Sequence, residues 1–314
     1  MDAHKPVLLN EVIAGLAIDP TKTYVDATFG RGGHAEAILN RLTTGHLYAF
    51  DRDIAAIEAG QALVQRYPGK LSLIHDNFTQ MGVRLQMLGV TEVDGIVMDL
   101  GVSSPQFDES DRGFTYRDDA VLDMRMDQSQ KLTAEALVNY SDLKTLTNIL
   151  REYGDEPQAY QIAKAIIAAR SEANITTTGQ LVAIIKSAKP QRELKKKGHP
   201  AKQAFQALRI AVNDEINNLR KTLDVAVALL APKGRLAVIT FHSGEDRIVK
   251  TKFKALTVQQ GSRYGPEALH MPKPLDYKLY NRDVILPSPE EISENHRANS
   301  AKLRIIIRSE RNEP

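Results

Sequence analysis

The chain has no cysteine and no tryptophan, and aromatic residues make up only 6% of its 314 positions. Without cysteine there is no disulfide framework, no thiolate metal site and no thiol nucleophile. A reducing, cytoplasmic location is the natural expectation. A long hydrophobic run is also missing. The longest purely aliphatic stretch runs from Val225 to Ala231, far short of the roughly 20 residues that span a bilayer. The start carries Asp2, His4, Lys5 and Pro6 instead of a basic segment followed by an apolar core, so neither a leader nor a membrane segment is expected. Charge of one sign is scarce too: 41 Lys and Arg against 39 Asp and Glu leave a net +2. Any contact to nucleic acid must come from local basic patches.

What is present is ordinary globular composition, 42% hydrophobic and 25% charged, on a chain long enough for a sizeable core. Short apolar runs alternate with helical periodicity over the first hundred residues. Strands are expected at Thr23 to Ala27, His46 to Phe50, Leu71 to Ile74 and Val93 to Met98, with Asp53 capping a helix. Repeats of this spacing imply a parallel sheet with right-handed crossovers. From Phe107 to about Lys202 the rhythm breaks into helices only: Ala134 to Tyr140, Leu143 to Tyr153, Ala159 to Ala169 and Thr178 to Ala188. A single long helix is expected from Ala204 to Leu230, then strands at Gly234 to Phe241 and Leu303 to Ile307. The economical reading is an α/β domain formed by residues 1–106 and 204–314, interrupted by a helical domain at 107–203.

In such a sheet ligands bind beyond the carboxyl ends of the strands. Asp26, the Gly30 to His34 loop, Asp51, Asn77-Phe78 and Asp99 fall there. Gly30, Gly32 and Ala35 satisfy a dinucleotide-binding pattern, and Asp51 sits where an acid can hold ribose hydroxyls. A nicotinamide oxidoreductase is therefore one reading. Two features favour S-adenosylmethionine instead. Asp26 and Asp99 would repel a pyrophosphate but suit an ammonium and a sulfonium, and Asp99 opens the polar segment Leu100 to Phe107 with Ser103, Ser104, Pro105 and Gln106.

The residues His4 to Leu9, Asp26 to His34, Asp94 to Gln106, Arg112 to Phe114, Leu122 to Asp127, Phe205 to Ile210, Phe241 to Ser243 and Ser300 to Arg304 together closely resemble the MraW (RsmH) family, bacterial methyltransferases acting on N4 of a 16S ribosomal RNA cytidine. The resemblance covers nearly the whole chain. It implies a Rossmann-like class I methyltransferase sheet with an inserted all-helical domain. It also implies S-adenosylmethionine contacts at Gly32, Gly33, His34, Asp51, Phe78, Asp99 and Gln106. The sequence departs from the family at Asp155, Gly244 and Asn299, where Glu, Leu and Arg are usual.

For amine methylation, Asp99 or the segment carrying Ser103 and Ser104 would accept the N4 hydrogens, although Asp99 could equally serve only to grip the cofactor. His34 and His242 fit backbone, cofactor or structural contacts better than general bases. Phe107, Phe114 and Tyr116 could stack on an extruded base. Arg112, Arg117, Arg125 and the Lys195-Lys196-Lys197 run could hold phosphates. Asp123 and Asp127 flank Arg125, which suits a salt-bridged segment, and no bound metal is expected. The partner implied is 16S RNA within the small ribosomal subunit, with the choice between monomer and homodimer left open. A non-catalytic assembly factor remains the alternative to an enzyme.

Overall fold

The computed structural model describes residues 6–102, 110–258 and 276–310. They divide into two compact units, one formed by residues 1–101 with 217–314 and one by residues 102–216.

The first unit is built on a seven-stranded sheet in the order β3-β2-β1-β4-β5-β7-β6. Its strands are β1 Thr23–Asp26, β2 His46–Asp51, β3 Leu71–His75, β4 Val93–Asp99, β5 Leu230–Thr240, β6 Tyr277–Leu279 and β7 Lys302–Arg308. β1 to β5 are parallel, while β7 runs antiparallel to β5 and β6 antiparallel to β7. Successive side chains of a strand point to opposite faces, and both faces are apolar. Tyr24, Val97, Ala237, Ile239, Leu303 and Ile305 fill one core. Val25, Ile96, Met98, Leu236, Val238 and Ile306 fill the other. Burial on both sides is why these strands read as unbroken apolar runs. The strand order reverses direction beside β1 and β4, which makes this a doubly wound Rossmann-like sheet of the class I methyltransferase kind, with its ligand crevice at those strand ends.

The second unit has its own core, in which Leu122, Leu146, Leu150, Ile162, Ile166, Leu181, Ile185, Phe205 and Leu208 meet. Its main helices are Ala134–Tyr140, Leu143–Gly154, Ala159–Glu172, Thr178–Ala188 and Lys202–Val212. Asp142 caps the second by accepting the Thr145 N–H, and Thr177 with Gln180 forms a capping box on the fourth. Asp155 ends the helix Leu143–Gly154 in the left-handed region, φ 48°.

Three differences from the sequence reading have physical causes. The expected long helix is two, Lys202–Val212 and Glu215–Leu229. Asp214 turns left-handed at φ 48°, and the Asn213 side chain donates to the Met124 and Arg209 carbonyls and accepts the Met126 N–H. The boundary correspondingly falls at 216/217 instead of 203/204, because Ala204, Phe205, Ala207 and Leu208 belong to the insert's core. β6, three residues at the sheet edge, was not expected at all.

Candidate functional site

Three aspartates end β1, β2 and β4. Asp51 organises the glycine loop: its Oδ2 accepts the Gly30 N–H at 2.7 Å and its Oδ1 accepts the Asp53 N–H at 2.8 Å. Gly32 lies at φ 74°, and a Cβ there would sit 2.8 Å from the Phe29 ring. The turn therefore needs glycine for its backbone and for its space. Gly33 begins the helix Gly33–Leu39, against the Pro6 ring.

Asp26 is 1% exposed. Its Oδ1 accepts the Thr28 N–H, and the Thr28 hydroxyl oxygen accepts the Asp99 N–H at 2.6 Å, tying the ends of β1 and β4 together. Burial, only partly offset by the Thr28 bond, raises the Asp26 pKa to about 7, with Asp51 contributing repulsion. Asp99 is pushed up to about 8 by burial and then by the charges of Asp26 and Glu245. A quarter of the Asp99 side chain, 26%, is exposed. Its Oδ1, however, is shielded from solvent and has no hydrogen-bond partner among the described residues. An unpartnered buried acceptor is costly, and Asp99 ends β4 at the crevice end of the sheet. Burial also raises Asp51, against the lowering effect of its two backbone bonds.

His34 is buried at the start of its helix, with Nε2 3.0 Å from the Val7 carbonyl oxygen and Nδ1 3.7 Å from Asp99 Oδ2. Phe78 opens a short 3-10 turn, Phe78–Gln80, directly after β3, with Asn77 capping it. The structure thus brings Gly32, Gly33, His34, Asp51, Phe78 and Asp99 to neighbouring strand ends. Ser103, Ser104, Gln106 and Phe107 lie outside the described residues.

The residues proposed for RNA contact divide differently. Arg112 is 9% exposed and donates to the carbonyls of Arg125 and Met126. Arg125 chelates Asp123 and donates to the carbonyls of Gln128 and Gln130. Both guanidinium groups hydrogen-bond to backbone carbonyls of the loop they brace. Phe114 belongs to the insert's core, and Tyr116 stacks on His199 with ring centroids 4.4 Å apart. Neither is offered to a base. Lys195, Lys196 and Lys197 are exposed after the helix Gln191–Leu194, with Lys196 paired to Glu193 at 2.7 Å. His242 caps the helix Ser243–Thr257, its Nδ1 accepting the Glu245 N–H and its Nε2 lying 3.2 Å from Glu245 Oε1, a structural role.

Two participants escaped the sequence reading. Thr28 joins Asp26 to Asp99. Glu245, 2% exposed, holds the Phe241 N–H and adds negative potential at Asp99. Thr28 lies inside the Asp26 to His34 motif, and Glu245 two residues beyond Phe241 to Ser243.

The arrangement suits S-adenosylmethionine. A glycine turn without Cβ atoms leaves backbone open to a ligand, Asp51 keeps lone pairs for ribose hydroxyls, and two electrostatically crowded carboxyls welcome a cation. No helix among the described residues is long and apolar enough to cross a membrane. In sequence comparison, the family described as MraW methylase matches residues 1–309. The chain is 52% identical over 309 residues to ribosomal RNA small subunit methyltransferase H of Streptococcus mutans, covering 96% of each. It is 50% identical over 307 residues to the protein of the same name from Limosilactobacillus fermentum, covering 97% of this chain and 98% of that one. The chain belongs to the MraW methylase family.

Proposed function

We propose that this methylase transfers a methyl group from S-adenosylmethionine to N4 of a cytidine in the decoding region of 16S ribosomal RNA, within the small ribosomal subunit. The observation that carries the reading is Asp99. It has an unpartnered, buried oxygen and a raised pKa at the end of β4, in a chain whose relatives are named ribosomal RNA small subunit methyltransferases.

When bound, the cofactor supplies an electrophilic methyl on a sulfonium. The chain's residues do the rest. Gly32, Gly33 and His34 would form its cradle, Asp51 would hold the ribose and Phe78 would border the adenine; the family resemblance adds Gln106, which lies outside the described residues. The cytidine amine is a poor nucleophile because its lone pair is delocalised into the ring. The Asp99 carboxyl, with the hydroxyls of Ser103 and Ser104, would accept the N4 hydrogens and favour a pyramidal nitrogen aimed at the methyl. As the new N–C bond forms and the S–C bond breaks, the N4 proton passes to the Asp99 carboxylate. A sulfonium beside Asp99 would keep it ionised while the donor is bound, and once the methyl has left, a pKa of about 8 lets it hold that proton at neutral pH. Residues 102–216 serve as the RNA-recognition unit, with Lys195, Lys196 and Lys197 neutralising phosphates.

Mass mapping of methyl groups in small-subunit RNA from cells with and without the protein tests the reading, which expects one N4-methyl mark to vanish. An unchanged map, or loss of a mark on another atom, would refute it. An Asp99→Asn enzyme that binds the donor normally and turns over at full rate would remove Asp99 from the chemistry.

A further inference from the structure

On the far edge of the sheet, the chain leaves β7 and rejoins it. Tyr280 N–H donates to the Ile305 carbonyl, and Ile285 pairs with Leu303, so residues 281–284 bow outward between them. A cavity of about 160 Å³ opens under this bow, against the C-terminal half of the helix Ser243–Thr257. Its apolar wall includes Phe253, 1% exposed, and Leu279; Tyr280 in the lining is 39% exposed, with the Arg235 guanidinium 5.6 Å from its ring centroid on one side. Cavities of roughly 150 Å³ hold one aromatic ring.

The cations are the second observation. Lys250, Lys254 and Arg282 line the cavity, all exposed, and none has an ion-pair partner among the described residues. Arg304, also in the lining, is held by Asp246 at 2.8 Å. Asp283 is the single acid in the lining. Three cations without an ion-pair partner among the described residues, around an apolar slot lined by a tyrosine, fit a base that inserts or stacks while its phosphates stay outside.

Position is the third. Asp99 pairs with Ile239, Ile239 with Leu303, and Leu303 with Ile285. The cavity therefore shares a row of the sheet with the candidate methyl-acceptor site. At about 4.8 Å per strand the two are about 14 Å apart, within reach of a few nucleotides of one strand. We propose that this cavity is a second RNA site, which takes a base and the adjoining phosphates of the strand that carries the target cytidine. The inference rests on RNA being the substrate.

The test uses the full-length protein and a single-stranded 16S RNA fragment containing the target, with direct binding measured by fluorescence anisotropy across a salt series. The triple variant Lys250→Gln, Lys254→Gln, Arg282→Gln should weaken binding and lower the slope of log affinity against log salt by about 2, since each phosphate contact on a single strand contributes about 0.7. Tyr280→Ala should cost about 5- to 150-fold in affinity, while Tyr280→Phe, which keeps the ring, should bind like the parent. Donor affinity should not move in any of them; Tyr280→Ala also gives up the ring's contact with Arg235, so its RNA affinity is read on protein shown to be folded by its melting curve. An unchanged salt slope in the triple variant, or Tyr280→Ala binding as tightly as the parent, overturns the site. Failure of the parent protein to methylate small subunits would instead strike the proposed function, and the binding arms would still judge the cavity.

Discussion

His34 presents a ring nitrogen to the carboxyl of Asp99: Nδ1 lies 3.7 Å from Oδ2, while Nε2 lies 3.0 Å from the Val7 carbonyl oxygen. A carbonyl only accepts, so Nε2 carries the hydrogen of that contact. Burial, and then the charges of the neighbouring Asp26 and Glu245, push the Asp99 carboxyl up to about 8.

The first consequence is a pH-dependent affinity. A sulfonium beside Asp99 favours its ionised form, so binding releases a proton below about pH 8. Affinity for S-adenosylmethionine should then rise from pH 6 to 8, by at most about tenfold per unit for one proton. S-adenosylhomocysteine lacks the sulfonium and should respond less. Titration calorimetry at four pH values checks this, and parallel slopes for the two ligands would place the sulfonium elsewhere.

Stability should move the opposite way. A carboxyl with a folded-state pKa of about 8 keeps a proton that the unfolded chain has released above roughly pH 4. The protein therefore loses stability as pH climbs between those values. Asp26, at about 7, adds to the trend. Asp99→Asn removes its share, so the gain in melting temperature over the parent should be larger at pH 9 than at pH 5. A constant difference would mean that Asp99 is ionised throughout.

Much of this site was legible because the sheet is regular. Apolar runs that end in Asp26, Asp51 and Asp99 mark the strand ends, and glycines 30, 32 and 33 mark the turn between them. The inward-turned arginines were not legible. Arg112 and Arg125 look like surface cations, and only the folded loop brings the carbonyls of Met126, Gln128 and Gln130 within their reach. The break at Asn213-Asp214 was hidden for a related reason. It uses a left-handed Asp in place of glycine, and its bonding partners Met124 and Met126 are distant in sequence. β6 is too short to show a period.

Asp51 does two jobs, and substitutions should separate them. Asp51→Ala loses a charged acceptor, costing about 1.5–3 kcal/mol, or 10- to 150-fold in donor affinity. It should also lower the melting temperature, because the Gly30 and Asp53 N–H groups lose their acceptor. Asp51→Asn keeps one acceptor oxygen and should recover part of that stability. An unchanged dissociation constant in the alanine variant would take Asp51 out of the site.

Replacing Lys195, Lys196 and Lys197 with glutamine should weaken RNA binding and flatten its salt dependence by up to about 2 in slope. Because Lys196 is paired with Glu193, its single replacement should have the smallest effect of the three. A slope equal to the parent's would exclude this loop from the RNA.

Arg112→Gln should act on folding before binding. It abandons two carbonyls, at about 1–3 kcal/mol for each left unsatisfied. Melting should drop accordingly, and a normal melting curve with weakened RNA affinity would restore Arg112 as a phosphate contact.

The antiparallel β7 sets an order of events during synthesis. It joins the sheet beside β5, with Ile307 opposite Arg235, and Glu291 reaches back to the Leu8 N–H. The sheet therefore waits for nearly the last residues to leave the ribosome. The unit at 102–216, by contrast, draws its core from one continuous stretch and can condense much earlier. A nascent chain stalled near residue 230 would hold the whole helical core while its sheet still lacks β5, β6 and β7.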